Sequence, residues 1–187
     1  MTNYPLHTVD TAPDWAGRPL AQLQEAFGFL PAAAAVMANS APLMSSFFSS
    51  FGHFRGEGTF TPAERQVLLL SNAVANESAW AVAFHTLEAL EDGVPPADVD
   101  AIRQRRLPAD PRHAALSALA RALITTRGHL DEAASAAFLA AGYDRNQILE
   151  AITAVAISTM TNYAATVADL PIEERLRAHA WDRRILA

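Results

Sequence analysis

The chain contains no cysteine. Disulfides, thiolate metal sites and cysteine nucleophiles are therefore excluded. Positive charge is also scarce: 14 Lys and Arg stand against 20 Asp and Glu, a formal net charge of −6. A nucleic-acid partner, which would call for a basic face, is not expected. The apolar runs all break well short of the ~20 residues that cross a bilayer. Met1 to Asp14 carry neither the basic n-region nor the apolar h-region of a signal peptide. No membrane partner and a cytoplasmic location are expected. Clusters of β-branched and aromatic residues are few, which removes the main signature of a sheet.

What is present favours helices. Half of the 187 residues are hydrophobic and alanine is abundant. That length suits one domain with a sizeable core. Pro5, Pro13 and Pro19 interrupt the start, so residues 1–19 are expected to be an arm and 20–187 a single all-α domain. Thr61-Pro62-Ala63-Glu64 reads as a capping box with proline at N1. Asp110-Pro111 and Asp144-Arg145-Asn146-Gln147 open later helices, and Gly142 suits a left-handed C′ position. Ile148, Ile152, Val155, Thr159 and Tyr163 form a stripe at helical spacing, and with Ala151, Ala154 and Ile157 on its other faces this helix is expected to be central to the core or to a subunit interface. After Pro171, a charged segment ending in Trp181 is expected to lie as a helix over a surface.

The stretch Asn76 to His85 resembles the signature of the alkylhydroperoxidase D-like / carboxymuconolactone decarboxylase family. In that family a glutamate is followed twelve residues later by Cys-x-x-Cys, with a histidine four residues beyond. Anchored on His85, the cysteine positions hold Ser78 and Ala81, the glutamate position holds Gln66, and Trp80 lies between the former cysteines. The layout from Gly28-Phe29-Leu30-Pro31 to Ser40-Ala41-Pro42-Leu43 is similar to the amino-terminal helical extension of longer members. The resemblance thus spans roughly Leu20 to Leu176. It implies an alkylhydroperoxidase D-like helical fold with that extension, and assembly as a dimer, trimer or hexamer.

A hydroxyl at Ser78 and a methyl at Ala81 cannot cycle between thiol and disulfide, so the family's peroxidase chemistry is not expected. Any activity label taken from that branch is contradicted by the residues. Ser78 and His85 share a helix face but lie ~10 Å apart along a helix axis, too far for direct activation. A nucleophilic Ser78 would need a base from another helix or subunit; otherwise its hydroxyl bonds the helix start. His85 is either a proton-transfer residue or a histidine satisfied in the core. Gln66 can hydrogen-bond but cannot shuttle protons. Trp80 is expected to fill the former redox pocket, the alternative being to stack on a flat ligand. Ala81 and Tyr163 are expected to line the same cavity. Glu64 stands fourteen residues before Ser78 rather than twelve and has a sufficient role as a cap.

The remaining histidines show no metal-ligand spacing, so no metal or other cofactor is expected. Two functions follow from the resemblance. One is a cofactor-free enzyme acting on a small organic acid or lactone, with His85 in proton transfer. The other is a catalytically silent relative that binds a small molecule or a partner subunit.

Overall fold

A computed structural model describes residues 4–182, and these contain helices and no strand. Positions 1–3 of the expected arm and 183–187 of the expected domain lie outside the described residues. The helices are α1 (Asp14–Phe27), α2 (Ala32–Met37), α3 (Ala41–Gly56), α4 (Pro62–Ala75) and α5 (Ala79–Glu91). They continue with α6 (Pro96–Arg103), α7 (Pro111–Thr125), α8 (Glu132–Ala140) and α9 (Arg145–Val167), and a 3-10 segment spans Glu174–His179.

Helix α4 is the axis of the fold. Every residue from Gln66 to Val74 is buried, and the helix packs against α5, α7 and α9. Its start is the expected capping box: Thr61 accepts from the Glu64 backbone and Glu64 accepts in turn from the Thr61 backbone. Glu64 also accepts from Arg112 and from the Tyr143 hydroxyl, at 2.8 Å each. Burial pushes the Glu64 carboxyl up, but the bonds from Thr61, Arg112 and Tyr143 together hold it below its ordinary value. Its role is to join α4 to α7 and to the turn before α9. Two buried polar pairs extend the joint, Ser71 to Ser117 and Asn72 to Ser158.

Three sequence expectations change. Helix α1 begins at Asp14 and carries Pro19 inside it, so the arm is shorter than residues 1–19. Proline there forgoes one backbone bond, and burial of Ala16, Leu20 and Leu23 against the core offsets the loss. The stripe from Ile148 to Tyr163 is only partly a core face of its helix, with Ile148 and Val155 packed against the core. The inward side of α9 is Ala151, Ala154, Ser158, Asn162 and Ala165, while Ile152 and Tyr163 stand about half exposed. Helices that approach closely accept small residues at the crossing, so the large side chains turn outward. Among the described residues after Pro171 the chain forms only the 3-10 segment, laid on α5. Arg103 pins its end through the carbonyls of His179 and Ala180.

No described helix is long and apolar enough to cross a membrane.

Candidate functional site

Helix α4 ends in a reverse turn in which Glu77 adopts φ 54°, and Ser78 N–H returns to Ala73 O. This Schellman-type closure sets the start of α5 directly behind the end of α4. Asn76 therefore closes α4 instead of opening α5, and Ser78 is the residue that precedes the new helix. Its hydroxyl does not cap α5. It donates across to the Asn162 carbonyl of α9, at 3.4 Å. Ser78 is 1% exposed and Ala81 is fully buried. No base among the described residues stands within hydrogen-bond reach of the Ser78 hydroxyl, and both former cysteine positions are packed away from the cavity described next.

That cavity, of about 60 Å³, lies among α1–α5 and α9, and Gln66, Trp80 and His85 line it. Gln66 donates from Nε2 to Asp92 Oδ2 at 3.0 Å, and its Oε1 lies 3.2 Å from His85 Nδ1. The order of the amide follows from Asp92. A carboxylate only accepts, so the Gln66 NH2 faces Asp92 and the carbonyl faces His85. His85 Nδ1 must then carry the proton, which leaves Nε2 as an acceptor with no partner among the described residues. Burial holds the imidazole in its neutral form, with the pKa pushed down to about 3.

Trp80 forms a wall of the cavity and does not plug it. Its Nε1 donates to Glu173 Oε2 at 2.6 Å, and its ring stacks on Phe84 with 5.2 Å between centroids. Phe84 meets His85 edge to face at 5.1 Å. Glu173 also accepts from Ala32 N–H, so one carboxylate of the C-terminal segment ties the tryptophan to the start of α2. Tyr163 is remote from this cavity. It is 56% exposed and borders a separate surface groove with Ile152 and Val155, because it lies on the outward stripe of α9.

Arg55, Arg65 and Asp92 also line the cavity, and the sequence reading does not include them. Asp92 has a readable signal, seven residues beyond His85 and hence on the same helical face. Arg55 has none, because nothing local brings α3 to α4. Glu88, one turn beyond His85, is a further perturbed group. Burial, then the charges of Glu91 and Asp92, push its carboxyl up to about 7. Among the described residues no three His, Asp or Glu side chains group as metal ligands.

A sequence model of the carboxymuconolactone decarboxylase family matches residues 42–122, the stretch that contains Gln66, Ser78, Ala81 and His85. Over that stretch the chain is similar to the family. Solved structures share its fold over nearly the whole length. The alkylhydroperoxidase AhpD core protein from Ralstonia eutropha JMP134, called peroxidase-related and uncharacterized, superposes with TM-score 0.81 at 18% identity over 93% of both chains. The debrominase Bmp8 superposes with TM-score 0.78 at 19% identity over 96% of both chains. A peroxidase-related protein from Silicibacter sp. TM1040 follows with TM-score 0.75 at 15% identity, over 96% of this chain and 98% of that one. At such identities the likeness concerns the fold. No curated protein matches the chain.

Proposed function

We propose that the protein is a cofactor-free enzyme that moves a proton on a small organic acid or lactone, with His85 Nε2 as the proton acceptor. The observation that carries this reading is the Asp92–Gln66–His85 chain. It selects one tautomer of His85 and leaves the other nitrogen as a lone pair at a cavity wall. Gln66 passes no proton, so His85 must hand the proton back to the product or to water. Ser78 and Ala81 take no part, and thiol peroxidase chemistry has no residue to support it.

The debrominase neighbour supports a small ligand as the kind this fold admits, since a cysteine-to-alanine variant of that protein was solved with 2,3,4-tribromopyrrole. The exposed Leu149, Ile152, Tyr163 and Val167 of α9 support a homo-oligomer, with this face as the contact.

The low basicity of His85 favours a second reading, a protein that binds a small molecule without turning it over. Proton exchange separates the two. An enzyme of the first kind should catalyse deuterium uptake at the carbon next to the carboxyl or lactone carbonyl of a bound acid. His85→Gln should lose that uptake by at least about a hundredfold, the lower end for a general base. Binding without any exchange, in a panel of acids and lactones, would favour the silent protein.

A further inference from the structure

We propose that Arg55 of α3 and Arg65 of α4 form a clamp that takes the carboxylate of a short-chain monocarboxylic acid in the cavity beside His85. The clamp deepens the functional reading above and rests on it only for the identity of the cavity.

Both guanidiniums line the cavity, yet neither is ion-paired with a carboxylate among the described residues. Arg65 spends one N–H on the Phe60 carbonyl, at 2.9 Å. Arg55 lies over the rings of Phe27 and Phe51, 5.9 and 5.5 Å from their centroids. Burial, then the charge of Arg55, weakens Arg65's hold on its proton, and the carboxylates of Asp92 and Glu150 oppose that. Two like charges beside one cavity repel, and an anion placed between them would relieve that repulsion. Guanidinium forks match a carboxylate in geometry, and Arg55, exposed at the cavity edge, has donors to offer one.

The class of anion follows from charge and space. Asp92 is the one carboxylate in the lining among the described residues, so the cavity walls carry two positive charges and one negative. The net charge suits a monoanion over a dianion such as phosphate. The remaining walls are mostly apolar, with Phe27, Phe51, Phe54, Phe84, Leu69 and Met37 among them, and suit a hydrocarbon tail. At about 60 Å³ the space is less than half of the ~150 Å³ in which benzene is accommodated. A short aliphatic acid fits, and an aromatic acid requires the wall of Trp80 and Phe84 to move.

The test uses the intact protein and ligand-observed NMR, which reads the weak affinities of so small a ligand. Propionate should bind, while propionamide, benzoate and inorganic phosphate should bind at least about tenfold more weakly. Arg55→Gln and Arg65→Gln should each weaken propionate by about tenfold to a hundredfold, as for loss of a hydrogen bond to a charged group. Arg65→Lys keeps the charge but not the fork and should bind propionate between wild type and Arg65→Gln, and a wild-type urea midpoint in these variants separates the clamp from a folding defect. His85→Gln should still bind propionate even where it abolishes proton exchange, so loss of exchange alone counts against the proton-transfer reading and not against the clamp. Equal binding of propionate and propionamide would overturn the proposal. So would unchanged affinity in both arginine-to-glutamine variants, no propionate binding by the wild type, or tighter binding of phosphate.

Discussion

Gln66 determines which nitrogen of His85 is free. Its carbonyl lies 3.2 Å from His85 Nδ1 because its amide NH2 is committed to Asp92 at 3.0 Å. An amide at this position therefore works as an orienting group, where a carboxylate would also supply charge.

Restoring a carboxylate should make that difference measurable. In Gln66→Glu, a negative charge next to Nδ1 stabilises the imidazolium, so the His85 pKa should rise from about 3 by at least ~1 unit. Histidine-detected NMR titration reads it directly. An unchanged His85 would show that the introduced carboxylate shares a proton with Asp92 and that no new charge reaches the ring.

Stability against pH should expose two opposed titrations. His85 is pushed down to about 3 in the fold and titrates near ~6.5 when unfolded. The unfolded chain binds the extra proton between those values, so this contribution is complete above ~6.5 and is lost as pH falls towards 3. Glu88 moves from its ordinary 4.5 up to about 7, so its contribution is complete below 4.5 and is lost as pH rises through 7. Between pH 4.5 and 6.5 the two slopes cancel. Urea unfolding across this window should show Glu88→Gln gaining stability with pH by up to ~1.4 kcal/mol per unit relative to wild type. His85→Gln should tilt the other way. Parallel curves for all three proteins would refute both assignments.

Trp80→Phe removes the bond to Glu173 while keeping the stack on Phe84. A hydrogen bond to a charged group contributes ~1.5–3 kcal/mol. The loss should be local, because Glu173 also holds the α2 start. Amide exchange should rise at residues 172–181 and near Ala32 before it rises in α4. Uniform protection across the protein would show that the Glu173 contact does not anchor the segment.

Cysteines placed at the two vacated positions should be chemically quiet. Ser78 is 1% exposed, Ala81 is fully buried, and neither lines the cavity. The start of α5 favours a thiolate by ~0.3–1 kcal/mol, but burial in apolar surroundings opposes it. In Ser78→Cys/Ala81→Cys, a thiol reagent should label the folded protein at least about a hundredfold more slowly than the unfolded chain, in line with protection by folding. Rapid labelling of the native protein would mean that the old redox site is still open.

The spacing of one histidine, one glutamine and two missing cysteines is enough to point to the family, and the family match falls on that stretch. Helix boundaries are legible wherever a local device encodes them. The Thr61–Glu64 and Asp144–Gln147 capping boxes and the Gly142 turn, with φ 89°, are examples. The site is less legible. The resemblance implies that Tyr163 lines the cavity, yet it lies at a separate groove, and helical period alone does not tell which side of an apolar helix meets a neighbour.

By itself the sequence determined the absence of thiol chemistry, the helical class and the capped starts, since each depends on residue identity or on neighbours within one turn. The tertiary structure alone decided that Arg55 and Arg65 line one cavity, that Asp92 turns the Gln66 amide, and that Glu173 reaches Trp80 across 93 positions. Those contacts depend on how α3, α4, α5 and the C-terminal segment cross. The crossings are set by which small residues let the helices approach, a property of the packed whole that no local pattern encodes.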